Sequence, residues 1–197
     1  MKVKHKDKIT PVVGITGLPA SGKTTVLRAF ARAGFKTLSA DDLARGEFAR
    51  KGNLKRIRKI FGASSRLRLA EVVFADGEKR RALENIIHPG VIKTILAAAK
   101  SARRARRPLA IEVPLLFEKK LEKMFNTIVT VASPRRLIMA RLASKGISRR
   151  TAAGMIRAHL PQARKAAMAD IVIKNDGSRK KLSAALRQVI KVARKVE

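Results

Sequence analysis

Eight consecutive residues near the amino terminus have the composition and spacing of a loop that binds phosphate. The segment from Gly17 to Thr24 satisfies the pattern Gly-x4-Gly-Lys-Ser/Thr. In such a loop, backbone N–H groups turn toward phosphate oxygens, and the amino terminus of the following helix adds positive potential. Lys23 can reach the β- and γ-phosphates, and the Thr24 hydroxyl can bind Mg²⁺. We therefore assign nucleoside-triphosphate binding to Gly17, Ala20, Ser21, Gly22, Lys23, Thr24 and Thr25.

A pair of carboxylates follows the second predicted strand in a chain that has only 14 Asp and Glu residues. Asp41 and Asp42 lie where parallel α/β folds bind their ligands, at the carboxyl edge of the sheet. A kinase needs a group that accepts or orients the acceptor hydroxyl, and Asp41 is the candidate for that role. For Asp42 the alternative role is to cap the amino terminus of the next helix.

Several classes of nucleotide-binding protein share this loop. The sequence contains no Asn-Lys-x-Asp tetrapeptide, with which GTPases recognise the base. Helicases and transporters of this class are usually longer than these 197 residues. The sequence therefore favours a small kinase.

An alternation of strands and helices must position these residues, and it predicts an α/β fold with a parallel sheet. Apolar runs predict five strands, at residues 10–16, 36–39, 109–113, 127–132 and 170–173. Helical spacing predicts helices at residues 24–33, 135–143 and 148–158 and a final helix that contains residues 182–190. Helix-forming residues dominate from 42 to about 101, with interruptions expected at Gly62, Gly77 and His88-Pro89, so this stretch is interpreted as a helical insertion.

The charge of the chain is strongly positive, with 46 Lys and Arg residues against 14 Asp and Glu, a net charge of +32. Such a charge predicts attraction to nucleic acid, anionic lipid or phosphate-rich small substrates, and it does not choose among them. The absence of cysteine excludes disulfide frameworks and thiolate metal sites. No apolar run reaches the ~18 residues of a membrane span, and the first residues lack the apolar stretch of a secretory signal. We expect a soluble, cytoplasmic monomer or weak homo-oligomer without a membrane partner.

Six motifs, in this order along the chain, resemble the dephospho-coenzyme A kinase family. The first is the phosphate loop, preceded by Gly14-Ile15-Thr16, and the second is Ser39-Ala40-Asp41, which is similar to the family's Asp-Ala-Asp. The others are the Arg66-x-x-Leu69, Phe74 and His88-Pro89 set, Val113–Glu118 with Glu112 before it, Arg141 between Ala140 and Leu142, and Ala169–Gly177, which contains Asn175.

The resemblance implies a P-loop three-layer α/β/α fold and transfer of the ATP γ-phosphate to the ribose 3′-hydroxyl of dephospho-coenzyme A, the last step of coenzyme A synthesis. It implies a nucleotide-binding core at residues 9–41, 108–139 and 166–197, a substrate-binding insertion at 42–107 and a helical lid at 140–165. The implied roles are catalysis by Asp41, Lys23 and Arg141, ATP binding by Asn175 as well as the loop, acceptor binding by Asp41, Arg66, His88 and Lys165, and Mg²⁺ binding by Thr24 and Glu112.

The chain departs from the family's usual pattern at five positions. Leu18 and Ala20 replace glycines of the loop, Ser39 replaces the first Asp, Lys165 replaces an Arg and His159 replaces a Gln. These departures leave two alternatives. One is a P-loop kinase for another nucleotide or a polynucleotide acceptor. The other is a nucleotide-dependent nucleic-acid-binding protein with weak kinase activity, so nucleic acid stays a less favoured partner.

Three side chains keep more than one interpretation. Glu112 either supports the metal through water or forms an ion pair at the edge of the core. His88 either contacts the substrate or caps a helix beside Pro89. For His159 no partner is identified, and we expect it at the surface.

Overall fold

A parallel sheet forms the centre of the molecule, as the alternating pattern predicts. The computed structural model describes residues 10–62, 69, 73 and 76–194. The strands are β1 (Val12–Thr16), β2 (Lys36–Ser39), β3 (Leu109–Glu112), β4 (Thr127–Ala132) and β5 (Ile171–Lys174). All pairings are parallel and the strand order is β2-β3-β1-β4-β5. The α/β prediction is confirmed, and the strand ends agree with prediction to within one or two residues.

Helices cover both faces of this sheet. They are α1 (Lys23–Arg32), α2 (Ala40–Ala49), α3 (Lys51–Phe61), α4 (Gly77–Arg104), α5 (Arg135–Ala143), α6 (Arg149–Arg157), α7 (Gln162–Met168) and α8 (Arg179–Ala193), with a 3₁₀ turn at Glu122–Met124. Alternate residues of β1 point to opposite layers: Val13 and Ile15 pack with α1 and α8, while Val12 packs with α2, α3 and α4. The result is a three-layer α/β/α sandwich.

Helix α4 continues through Pro89, where an interruption was expected. Proline has no N–H to donate to the carbonyl of Asn85, a loss that typically costs about 3 kcal/mol in a helix interior. Buried side chains on both sides of the proline pack into one core, and these are Ile86, Ile87, Val91 and Ile95. Because this packing outweighs the local cost, the predicted break at His88-Pro89 is wrong. Gly62 and Gly77, in contrast, do lie at the end of α3 and the start of α4.

Within the described ranges no helix has the length and apolar character needed to cross a membrane.

Candidate active site

The phosphate-loop residues connect the end of β1 to the start of α1. Gly22 has a left-handed backbone with φ 106°, and a Cβ at this position would overlap the side-chain amide of Asn175. Ala20 also has a positive φ, 53°, at a position where the family usually has glycine. The hydroxyl of Ser21 is buried and has no hydrogen-bond partner within the described part of the chain. A buried, unsatisfied hydroxyl inside such a loop fits a site that binds phosphate oxygens.

A second departure from the family's loop is Leu18, and the packing of its side chain explains it. Its side chain is buried in a small core with Ile138 and Leu142 of α5 and Ala152 of α6. A glycine at position 18 would leave these contacts unmade. The leucine therefore packs the loop against helices α5 and α6.

The ammonium group of Lys23 lies inside the loop. Its Nζ donates a hydrogen bond of 3.0 Å to the carbonyl of Leu18 and lies 4.0 Å from Oε1 of Glu112. Only 7% of the residue is exposed. Burial lowers the pKa of Lys23, and the carboxylates of Glu112 and Asp41 partly oppose that shift. The charge is thus directed at the position where the phosphates of a bound nucleotide belong.

Glu112 ends β3 beside the first turn of α1. It is 5% exposed, and its Oε2 accepts a hydrogen bond of 3.2 Å from the hydroxyl of Thr24. Burial raises the pKa of Glu112, and the charge of Lys23 opposes the shift. A hydroxyl and a carboxylate are the oxygen ligands that Mg²⁺ prefers, usually together with substrate phosphates. No group of three or more His, Cys, Asp or Glu side chains among the described residues could hold a metal ion, so this pair fits a shared site better than an all-protein cage.

Arg141 and Asn175 hold the loop from its other side. Nη1 of Arg141 donates to the carbonyl of Ala20 at 3.1 Å and to the hydroxyl of Ser133 at 3.1 Å. Nδ2 of Asn175 donates to the carbonyl of Ser21 at 2.8 Å. Both side chains line a cleft of about 650 Å³ together with Lys23. The structure thus brings Arg141 and Asn175 into one cleft with the predicted loop residues Ala20, Gly22, Lys23, Thr24 and Thr25, whereas Gly17 and Ser21 do not line it.

Asp41 lies in the first turn of α2, and Ser39 caps that helix. The hydroxyl of Ser39 accepts a hydrogen bond of 3.3 Å from the N–H of Asp42. The alternative role of Asp42 as the cap is therefore wrong, and its exposed carboxylate pairs with Arg45 instead. Ser39 keeps the capping function that an Asp could also perform at this position.

Asp41 also belongs to the walls of two cavities of several hundred Å³, besides a smaller one of about 80 Å³. One is the phosphate-loop cleft, and the other is a cavity of about 470 Å³ between α2 and α4. The second cavity is lined by His88, Glu84 and Phe48, among others. Its volume is in the range of small-molecule sites. Asp41 is therefore shared by the walls of the phosphate-loop cleft and of this second cavity.

His88 lies inside α4, so its alternative role as a helix cap is wrong. Its ring is half-buried, and burial together with the charge of Lys119 lowers its pKa against the opposing effect of Glu84. Glu84 accepts a hydrogen bond of 2.9 Å from Nζ of Lys119 and lies 3.9 Å from Nδ1 of His88. Glu84 and Lys119 were not among the predicted site residues. The available signal was that Glu84 stands one helical turn before His88.

One further predicted position, Lys165, lies outside the walls of both cavities. Lys165 is completely buried, and its Nζ donates to Glu118 and to the carbonyl of Pro114, at 2.8 and 2.9 Å. Burial works against the charge of Glu118, but hydrogen bonds from Lys165 and from the N–H of Leu160 outweigh it and lower the pKa of Glu118. Neither the phosphate-loop cleft nor the cavity between α2 and α4 includes Lys165 in its wall, so its substrate contact stays a prediction.

The remaining predicted positions divide between the described and undescribed parts of the chain. His159 is half-buried rather than at the surface, and its Nδ1 lies 2.9 Å from the carbonyl of Met155. Arg66 and Phe74 fall outside the described residues, so the acceptor contact expected of Arg66 is untested by the structure.

Comparisons with known proteins point to one family. The family model for dephospho-CoA kinase matches residues 11–181. A dephospho-CoA kinase from Thermus thermophilus is 34% identical over 197 residues, which cover 94% of this chain and 93% of the relative. One from Carboxydothermus hydrogenoformans is 32% identical over 199 residues, 95% of each chain. A crystal structure from Thermus thermophilus is similar with a TM-score of 0.76 and 33% identity, and the match covers 94% of this chain and 98% of that one.

Proposed function

Because the chain belongs to the dephospho-CoA kinase family and phosphorylates dephospho-CoA in coenzyme A synthesis, we propose that Asp41 acts on the acceptor hydroxyl. The carrying observation is that Asp41 belongs to the walls of both cavities. In the proposed step the ribose 3′-oxygen forms a bond to the γ-phosphorus. The Asp41 carboxylate takes the proton that this oxygen loses. The bond from that phosphorus to the β-phosphate oxygen breaks, and ADP leaves.

The phosphate-loop cleft takes ATP in this proposal. Backbone N–H groups of the loop and the buried hydroxyl of Ser21 bind phosphate oxygens, and Lys23 neutralises charge on the β- and γ-phosphates. Arg141 is supported in a catalytic role by its position in the same cleft. Its hydrogen bond to the carbonyl of Ala20 also orders the loop, so the backbone N–H groups are oriented for phosphate oxygens before ATP binds.

Thr24 and Glu112 hold Mg²⁺ in the proposed complex. The support is the 3.2 Å contact between their oxygens at the mouth of the loop. Mg²⁺ supplies positive charge that neutralises the phosphates during transfer. The alternative role of Glu112, an ion pair, is compatible with the same geometry, because Nζ of Lys23 lies 4.0 Å from the carboxylate.

The cavity between α2 and α4 takes dephospho-CoA, with His88 at its wall and Arg66 as a further proposed contact. The proposed organisation keeps residues 42–107 as the acceptor-binding insertion, 140–165 as the lid and 9–41, 108–139 and 166–197 as the nucleotide-binding core. We also propose a cytoplasmic location, where ATP is available, and a monomeric or weakly homo-oligomeric state.

One assay tests the acceptor. ATP consumption is measured with dephospho-CoA, with mononucleotides and with oligonucleotides, and the product is examined by ³¹P NMR. Of the three kinds of acceptor, we expect turnover only with dephospho-CoA. The product should carry a new phosphate monoester on the 3′-oxygen. Comparable turnover with a mononucleotide or an oligonucleotide end would contradict the proposal and favour another P-loop kinase.

A further inference from the structure

One layer of the sandwich carries many cations and no carboxylate. Residues 10–40 and 177–194, which include α1 and α8, contain no Asp or Glu. We define the α1/α8 face by its seven exposed basic residues outside the two cavities, which are Arg28, Arg32, Lys180, Lys181, Arg187, Lys191 and Arg194. The positive charge of these two ranges is therefore not balanced by any carboxylate side chain within them.

The cations of the α1/α8 face form rows along the two helices. In α8, Leu186, Val189 and Ala193 point into the core, so Lys180, Arg187 and Lys191 share the opposite side. The row from Lys180 to Arg194 extends about 21 Å at 1.5 Å per residue. Arg28 and Arg32 stand one turn apart on the neighbouring helix α1. The face is therefore an extended positive surface rather than a point site.

These charges are not neutralised by the protein. No ion pair between described residues includes any of the seven side chains. Arg187 donates only to the hydroxyl of Ser183, while Arg194 donates to the carbonyl of Ala33 and lies 5.9 Å from the ring centroid of Phe35. A row of uncompensated cations attracts an anion with repeated charges.

The α1/α8 face is separate from the substrate sites. Helix α1 begins at the phosphate loop and leads away from it, so Arg32 lies about 13 Å along the helix from Lys23. The cavity between α2 and α4 lies on the opposite side of the sheet. Neither ATP nor dephospho-CoA accounts for the cations of this face.

We propose that the α1/α8 face binds the phosphodiester backbone of double-stranded nucleic acid without reading its sequence. Backbone contacts by Lys and Arg are sufficient for such binding. Single strands need exposed aromatic side chains for stacking, but Phe30 and Phe35 of this layer are buried. Stable attachment to a bilayer surface usually combines cations with inserted apolar side chains, and Val192 is the one large apolar residue exposed on the described part of this layer.

The test compares two variants with the same loss of charge. The face variant carries Arg28→Gln, Arg32→Gln, Arg187→Gln and Lys191→Gln, none of which belongs to the catalytic or binding machinery. The matched control carries Lys51→Gln, Lys55→Gln, Arg56→Gln and Lys59→Gln, which are exposed on α3 in the opposite layer. Binding of labelled duplex DNA and duplex RNA is followed by fluorescence anisotropy between about 50 and 200 mM salt.

We expect the wild-type protein and the control to bind both duplexes with a steep salt dependence. In the face variant the slope of log affinity against log salt becomes shallower by about 3 to 4, because four cations contribute about 0.9 each. Turnover with dephospho-CoA stays unchanged in the face variant, and the control variant serves only as the charge control for duplex binding. If the face variant does not fold, the α1 pair and the α8 pair are tested separately, and each removes about half of that slope change.

Three outcomes overturn the proposal. Equal losses in the face variant and the control would show that net charge alone causes the binding. An unchanged salt slope in the face variant would show that the duplex contacts another surface. A larger loss of binding to phosphatidylserine vesicles than to duplexes would assign the face to a membrane.

Discussion

The hydroxyl of Thr24 lies 3.2 Å from Oε2 of Glu112, so the first turn of α1 contacts the end of β3 at the mouth of the phosphate loop. The two strands that deliver these residues, β1 and β3, are neighbours in the sheet, which fixes the contact. Because burial raises the pKa of Glu112, the proposed metal site contains a group that gains a proton more readily than an exposed carboxylate.

The Glu112→Gln variant should need a higher Mg²⁺ concentration for half-maximal turnover, by about tenfold or more. A protonated carboxyl is a poor ligand, so in the wild-type enzyme the Mg²⁺ requirement should also rise as the pH falls toward the raised pKa of Glu112. Turnover is measured against Mg²⁺ concentration at several pH values. The control is Glu78→Gln, which changes an exposed carboxylate on α4. An Mg²⁺ requirement in Glu112→Gln that equals wild type at every pH would contradict the metal assignment.

The Asp41→Asn variant should lower kcat by about 10²- to 10⁴-fold, because an amide cannot accept the hydroxyl proton. The KM for ATP should change little, since the loop amides and Lys23 remain. Asp42→Asn is the matched control, because Asp42 is the exposed neighbour that pairs with Arg45. Steady-state kinetics with dephospho-CoA measure both variants. Asp41→Asn turning over as fast as wild type would show that another group acts on the hydroxyl.

The Ala20→Gly variant should raise the free energy of unfolding by about 0.5 kcal/mol, because the relief of the left-handed backbone exceeds the added freedom of the unfolded chain. The control is Ala31→Gly, at an exposed site inside α1, which should lower stability by about 1 kcal/mol. Urea unfolding gives both values. A loss of stability in both variants would mean that the backbone at Ala20 carries no strain.

The Glu118→Gln variant should lower the free energy of unfolding by about 3 kcal/mol at neutral pH, because it removes the carboxylate that neutralises the completely buried Lys165. The pKa of Glu118 is lower in the folded protein than its ordinary value of 4.5. The stabilisation is therefore complete above that value and is lost as the pH falls through the folded pKa. Urea unfolding of both proteins from neutral to acidic pH should give a flatter profile for the variant. Parallel profiles would contradict the role of this pair.

The Gly90→Ala variant should destabilise the protein by about 1 kcal/mol or more, although alanine is the better helix former. A Cβ on Gly90 would overlap the carboxylate of Glu47, which is buried and held by Arg50 and Asn53. Gly46→Ala is the matched control inside α2, where a Cβ meets no atom within 4 Å, and it should stabilise the protein by about 0.5–1 kcal/mol. Thermal unfolding measures both. Equal stabilisation by the two substitutions would show that Glu47 moves aside freely.

Local patterns were sufficient for the sheet and the phosphate loop. β1 and β4 are apolar, β-branched runs, and Gly17 to Thr24 follows β1 as its spacing requires. The cap of α2 could not be chosen locally, because Ser39 and Asp42 are both good capping residues. In the structure Ser39 is the cap, because its hydroxyl accepts a hydrogen bond from the N–H of Asp42.

Contacts between distant segments explain most of what the sequence did not reveal. Pro89 predicts a break, and only the common core around it keeps α4 continuous. Helix α7 was not predicted, since its seven residues are too few for a helical period to stand out. Lys165 resembles a surface cation in sequence, yet its partner Glu118 is 47 residues away along the chain.

The wall that Asp41 forms between the two cavities also bears on inhibitor design. The cavities share Asp41 and otherwise have different linings, so the proposed assignment of ATP to one and dephospho-CoA to the other lets both substrates be bound at once. A single compound that joins adenosine to dephospho-CoA through a short polyphosphate would span both cavities past Asp41. Its second half would bind at a high effective concentration, so its affinity should exceed that of either substrate alone.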